Sequence, residues 1–131
     1  MDGLTGPQYV TVTSAEDLKG KEGYCADFDA SGLAILGDGA LIAGALNREG
    51  GVIMNGGGAL GDRVVIGVGK QQVGTSAAVD IGAKLTNDTN GLFVTAASGE
   101  AVLAISLQKL SAASSECWVL YVGPQIGGVI P

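Results

Sequence analysis

Apolar and polar residues along this chain change places in short runs, and the runs have the period of strands. Residues 9–13 read YVTVT, aromatic and β-branched, which predicts a strand. Residues 24–28 alternate, with Tyr24, Ala26 and Phe28 on one face and Cys25 and Asp27 on the other. Similar runs predict strands at 33–36, 41–46, 63–68, 84–86, 91–95, 101–107 and 117–122, each bounded by Gly, Asn, Asp or Ser. In the SAEDLKGKEG stretch Ser14 offers a cap for one helical turn, which Gly20 and Gly23 then stop. No window sustains an apolar 3.6-residue period for three turns, so no long helix is expected. The pattern predicts an all-β domain, a compact β-barrel or β-sandwich of short strands joined by glycine-rich turns.

Two features of the pattern go beyond strand counting. In CWVLYV, Trp118, Leu120 and Val122 point one way and Cys117, Val119 and Tyr121 the other, so both faces are apolar. Such a strand is either central to two layers or covered by another subunit. There is also an internal echo: DASGLAIL at 29–36 returns as DTNGLFVT 59 residues later, at 88–95. Each copy leads to a second apolar segment, LIAGALN (41–47) and VLAISLQ (102–108). A turn with Asp first and Gly in the left-handed position is hairpin chemistry, and two such units suit related halves of a barrel or sandwich.

Composition agrees. The chain has 131 residues, one domain's worth, with 47% apolar and only 15% charged residues, outside the range of disordered sequences. Its 23 glycines have no collagen period and suit many tight turns. A net charge of −6 with scattered Lys and Arg argues against a nucleic-acid surface. Asp38 interrupts the best membrane-span candidate, GLAILGDGALIAGAL, so no membrane partner is expected. The opening MDGLTGPQ lacks the basic and apolar regions of a signal peptide. Cys25 and Cys117 are therefore read as two reduced, buried thiols rather than a disulfide.

The residues available for chemistry are few. With no histidine, Ser-His-Asp and Cys-His catalysis and His-ligated metal sites are excluded, and two distant cysteines make no C-x-x-C pair. Three formal motif matches remain. Ser106 and Lys109 have the S-x-x-K spacing of some acyl enzymes, but on a strand residues three apart point to opposite faces. Asp27, Asp29, Ser31 and Asp38 fit the ligand spacing of an EF-hand loop, yet predicted strands rather than helices flank them, and a hairpin turn is the better reading. Gly56, Gly58 and Gly61 in NGGGALG satisfy G-x-G-x-x-G, but a β-branched strand follows where a dinucleotide site needs a helix. Paired carboxylates for glycoside hydrolysis, Asp27/Asp29 or Glu49/Asp62, have nothing to fix their separation. The sequence therefore points to a protein that is not an enzyme and carries no cofactor and no metal.

The opening strand and turn YVTVTSAEDLKGKEGYCADFDASG, the AGALN strand end, GDRVVIGVG, the second D-x-x-G hairpin with SGEAVLAISLQ, and the closing CWVLYV together resemble the capsid cement, or head decoration, proteins of tailed phages. The likeness spans roughly residues 9–122 and rests on the order of strands and glycine turns. It implies a mostly β protein, commonly a homotrimer, on the outer surface of the virion capsid after synthesis in the host cytoplasm. Its partners would be the major capsid protein and its own copies. The expected organisation is a single domain, with an N-terminal arm at 1–8, a β core at 9–122 and a tail at 123–131. Thr5, Pro7, Tyr9, Gly56, Gly57, Trp118 and Tyr121 are the expected interface residues. The rival expectation is a carbohydrate-binding or adhesin module on the virion surface.

Overall fold

The structure, a computed structural model, describes residues 7–29, 31–37, 50–123, 127–128 and 130–131. Among them the strands are β1 (Gln8–Thr13), β2 (Cys25–Phe28), β3 (Ala34–Leu36), β4 (Gly51–Ile53), β5 (Arg63–Thr75), β6 (Lys84–Asn87), β7 (Phe93–Thr95), β8 (Ala104–Ser106) and β9 (Ser114–Tyr121). The protein is all-β, as the alternation predicts. The strand expected at 41–46 lies outside the described residues. β4 was not foreseen, and β5 runs on for 13 residues, well past the expected 63–68.

The D-x-x-G stretches form two matching hairpins. Asp29 Oδ1 accepts the amides of Ser31 and Leu33, both at 2.9 Å, and Gly32 takes the left-handed conformation at φ +80°. Asp88 Oδ1 accepts the amides of Asn90 at 2.8 Å and Leu92 at 3.0 Å, with Gly91 at φ +82°. An aspartate that bonds the amides ahead of it closes the turn, and glycine meets the positive φ without Cβ strain.

The echo extends far beyond these turns. Asp27↔Ile35 in β2–β3 corresponds to Thr86↔Val94 in β6–β7, and Cys25↔Val52 in β2–β4 to Lys84↔Ile105 in β6–β8. Val52↔Gly67 in β4–β5 corresponds to Ile105↔Leu120 in β8–β9, and Val12↔Val64 in β1–β5 to Val73↔Cys117 in β5–β9. Even the parallel closures agree, with Ser14↔Ala34 matched by Thr75↔Phe93. The chain thus builds the same five-stranded closed arrangement twice. Barrel 1 uses β1, β2, β3, β4 and the first half of β5, and barrel 2 the second half of β5 with β6 to β9.

Each barrel has its own apolar cluster, and corresponding positions fill both. Leu18, Ala26, Ala34, Ile53, Val64 and Ile66 form the first. Val73, Val79, Leu85, Phe93, Leu103, Cys117, Val119 and Tyr121 belong to the second. β5 serves both: Val64 and Ile66 fill barrel 1, and Val73 fills barrel 2. Between them Gly69 stands at φ +78°, a conformation that suits glycine, where the chain passes from one barrel to the next.

The NGGGALG loop binds back onto barrel 1. Gly58 O accepts the Leu18 amide at 2.7 Å and Gly56 O the Gly20 amide at 2.9 Å. Gly56 and Gly57 both have positive φ, +78° and +75°. A Cβ on Gly56 would meet nothing within 4 Å, whereas one on Gly57 would lie 1.8 Å from Leu18 O, a backbone atom that cannot swing aside. Gly56→Ala should therefore cost about 1–2 kcal/mol of backbone strain, and Gly57→Ala more than about 4 kcal/mol, in the range kept for backbone and packing conflicts. Urea unfolding of the two variants measures the difference; equal midpoints would contradict this account of the loop.

Candidate interaction surface

The closing strand β9 turns one apolar face inward and leaves the other open. Cys117, Val119 and Tyr121 are buried in barrel 2, where the Tyr121 ring stands edge-on to Phe93 at 6.4 Å between centroids. Trp118 is 42% exposed, and Leu120 and Val122 are half-buried. Register sets what lies beside them. Lys84, Ile105, Leu120 and Lys70 form one cross-strand row over β6, β8, β9 and β5, and Trp118 stands opposite Gln72. The Lys70 ammonium lies 5.8 Å from the centre of the Trp118 ring, within cation–π range. Backbone bonds hold the tryptophan in place: its amide donates to Gln108 Oε1 at 3.1 Å, and its carbonyl accepts from Leu107 N at 2.9 Å.

β1 borders the same surface. It pairs with β5 on one edge, and Tyr9 and Val10 are 58% and 51% exposed. A groove of about 350 Å³ is lined by Pro7, Tyr9, Met54, Lys70, Gln72 and Trp118. Its floor includes Gln71, buried because its side chain folds back to donate to Val68 O at 3.0 Å and covers Gly67.

Of the residues expected at an interface, Pro7, Tyr9 and Trp118 meet in this groove. Gly56 and Gly57 do not; they belong to the loop bound to residues 18–20. Thr5 lies outside the described residues. Tyr121 needs correction: at 3% exposure it is a core residue, since period-2 alternation puts it on the face opposite Trp118. Sequence reasoning missed Lys70, Gln72, Met54 and Ile105. Lys70 and Gln72 follow Gly69, which hid the continuation of β5.

The enzyme-like motifs resolve into structure. Ser106 is buried, and its hydroxyl donates to Gln108 O at 2.6 Å, while Lys109 is exposed. Asp29 is occupied by its own turn, and Asp38 and Glu49 lie outside the described residues. After Gly61 comes β5 rather than a helix. The loop amides already face protein acceptors, Gly56 N to Glu22 Oε1 at 3.0 Å and Ala59 N to Asp62 Oδ2 at 3.2 Å, and those carboxylates would repel a phosphate. The tail is bound to barrel 2, with Ile130 O accepting from Gly99 N at 2.9 Å and Pro131 O from Ser98 Oγ at 2.9 Å.

Compared with protein-family models, curated proteins and solved structures, the chain matches none.

Both cysteines are free and buried. Burial, and after it the charge of Asp27, pushes the Cys25 thiol far up; burial raises Cys117 too, opposed in part by its hydrogen bond with Ser106. Above the ordinary thiol value of 9.0 the unfolded chain loses protons that the folded chain keeps, so stability is fully present below that pH and falls as pH rises beyond it. The folded protein should leave both thiols unlabelled by a disulfide reagent at neutral pH and expose both in guanidinium. Rapid labelling of the folded protein would contradict the burial.

Proposed function

We propose that this chain is a structural virion protein, a capsid decoration protein that binds the outer surface of an assembled phage head as a homotrimer and stabilises contacts between major capsid protein subunits. One observation carries the reading: a strand sealed into the core on one face leaves Trp118 exposed and Leu120 half-buried on the other, with Trp118 sharing a groove with Tyr9. Exposed aromatics that converge on a groove are the anchors of protein interfaces. The resemblance of the strand and turn order over residues 9–122 to head decoration proteins supplies the partner.

The mechanism is linkage. A protein that binds only the assembled lattice stabilises that lattice by its binding free energy, and many copies multiply a modest contact. The groove also favours a second reading, in which Tyr9 and Trp118 form an aromatic platform for a sugar.

The test incubates the protein with assembled heads that lack decoration protein and, separately, with unassembled capsid subunits. The expected result is co-sedimentation with heads, little capture by free subunits, and loss of head binding in Trp118→Ala with its fold intact. Equal capture by free subunits would overturn the lattice-specific proposal, and binding to a glycan array with none to heads would replace it with the sugar reading.

A further inference from the structure

The two barrels meet through a contact whose counterpart surfaces, among the described residues, have no such partner. Within the chain, the turn and strand end of barrel 2 sit on the outer face of the barrel 1 sheet. Cys25 and Val52 point away from the barrel 1 core, are fully buried, and belong to the barrel 2 cluster. The Cys25 amide donates to Gly91 O at 2.7 Å and the Gly74 amide to Gly23 O at 2.9 Å. Gly91 is packed so closely that a Cβ there would lie 2.7 Å from Leu36 Cδ1.

The duplicated register names the counterparts. The receiving face of barrel 1, Cys25 and Val52, corresponds on barrel 2 to Lys84 and Ile105, followed in the same row by Leu120. Ile105 and Leu120 are half-buried and Lys84 is exposed, so among the described residues this face is less covered than its fully buried twin, Cys25 and Val52. The docking face of barrel 2, the Asp88–Gly91 turn with Leu92, corresponds on barrel 1 to the Asp29–Gly32 turn with Leu33. There Gly32 is exposed, and a Cβ on it would meet nothing within 4 Å, although its turn is built like that of Gly91.

We propose that these two free faces bind each other between copies. Asp29, Gly32 and Leu33 of one copy seat on Lys84, Ile105 and Leu120 of the next, repeating head to tail the contact that barrel 2 makes with barrel 1. A second copy is the occupant because both surfaces are counterparts of a contact the chain already makes. Charge complements it. The receiving face carries Lys84 where the internal contact has neutral Cys25, with Lys70 in the same row, and the docking turn carries Asp29. Such a contact joins unlike surfaces, so it closes into a ring or runs on as a filament. A ring of three would arrange six equivalent barrels about one axis. The inference rests on the self-associating part of the proposed function and is independent of the capsid part.

Light scattering against concentration tests it without any head. The wild-type chain, 13.0 kDa, should associate. Leu33→Asp spoils the docking face and Ile105→Asp the receiving face, and each alone should be monomeric. Mixed in equal amounts they should form heterodimers that go no further, because each retains one intact face. Lys84→Glu, at an exposed position, should weaken association at least tenfold with an unchanged melting curve, so a folding defect in the other variants would not carry the result. A wild-type monomer at millimolar concentration, a variant that keeps the wild-type mass, or a mixture that stays monomeric would overturn the proposal. Failure of head binding with these masses as expected would count against the capsid reading alone.

Discussion

Backbone pairing for both barrels passes through one strand. β5 gives residues 63–68 to β1 and β4 and residues 69–75 to β7 and β9, so neither barrel closes without it. Its apolar side chains divide in the same way, Val64 and Ile66 to one core and Val73 to the other. A strand with duties on both sides cannot shift register to suit one of them, since a one-residue slip would turn both apolar sets outward. Gly69, at positive φ, stands between the strand's two tasks.

That shared strand brings the barrels close enough for the outer face of one to become inner surface for the other. Cys25 and Val52 are outward residues of barrel 1 that never reach water. The equivalent face of barrel 2 has no such neighbour among the described residues, and it carries apolar residues edged by lysines. The groove between Tyr9 and Trp118 lies along the same side, because Trp118 and Leu120 alternate with the core residues of β9. One asymmetry, a covered face and an uncovered twin, thus accounts for the exposed apolar surface on which the functional reading depends.

Much of this was legible in the sequence. The alternation of residues 24–28 separates Tyr24, Ala26 and Phe28 from Cys25 as the two clusters do, and the repeated D-x-x-G motif marks the duplication because both turns need an aspartate acceptor and a glycine at positive φ. Other parts were hidden for physical reasons. β4 is three residues beginning at a glycine, too short for a pattern. The second half of β5 contains Lys70, Gln71 and Gln72, and Gln71 is buried only because its amide finds Val68 O. Trp118 and Tyr121 look alike as apolar strand residues; alternation sets them on opposite faces without saying which is inside, and that depends on pairing with β5 and β8. The groove joins residues from both ends of the chain, and only topology brings them together.

The barrels share a buried contact through Cys25 and Val52, and native-state hydrogen exchange of Val52→Ala measures whether they open as one unit. Val52 belongs to barrel 1 by sequence and to the barrel 2 cluster by packing, and its truncation should cost about 1–3 kcal/mol. The account predicts that amides of β6, β8 and β9 lose protection as much as those of β2 and β4, in a single cooperative unit. Faster exchange confined to β1–β4, with barrel 2 unchanged, would contradict it.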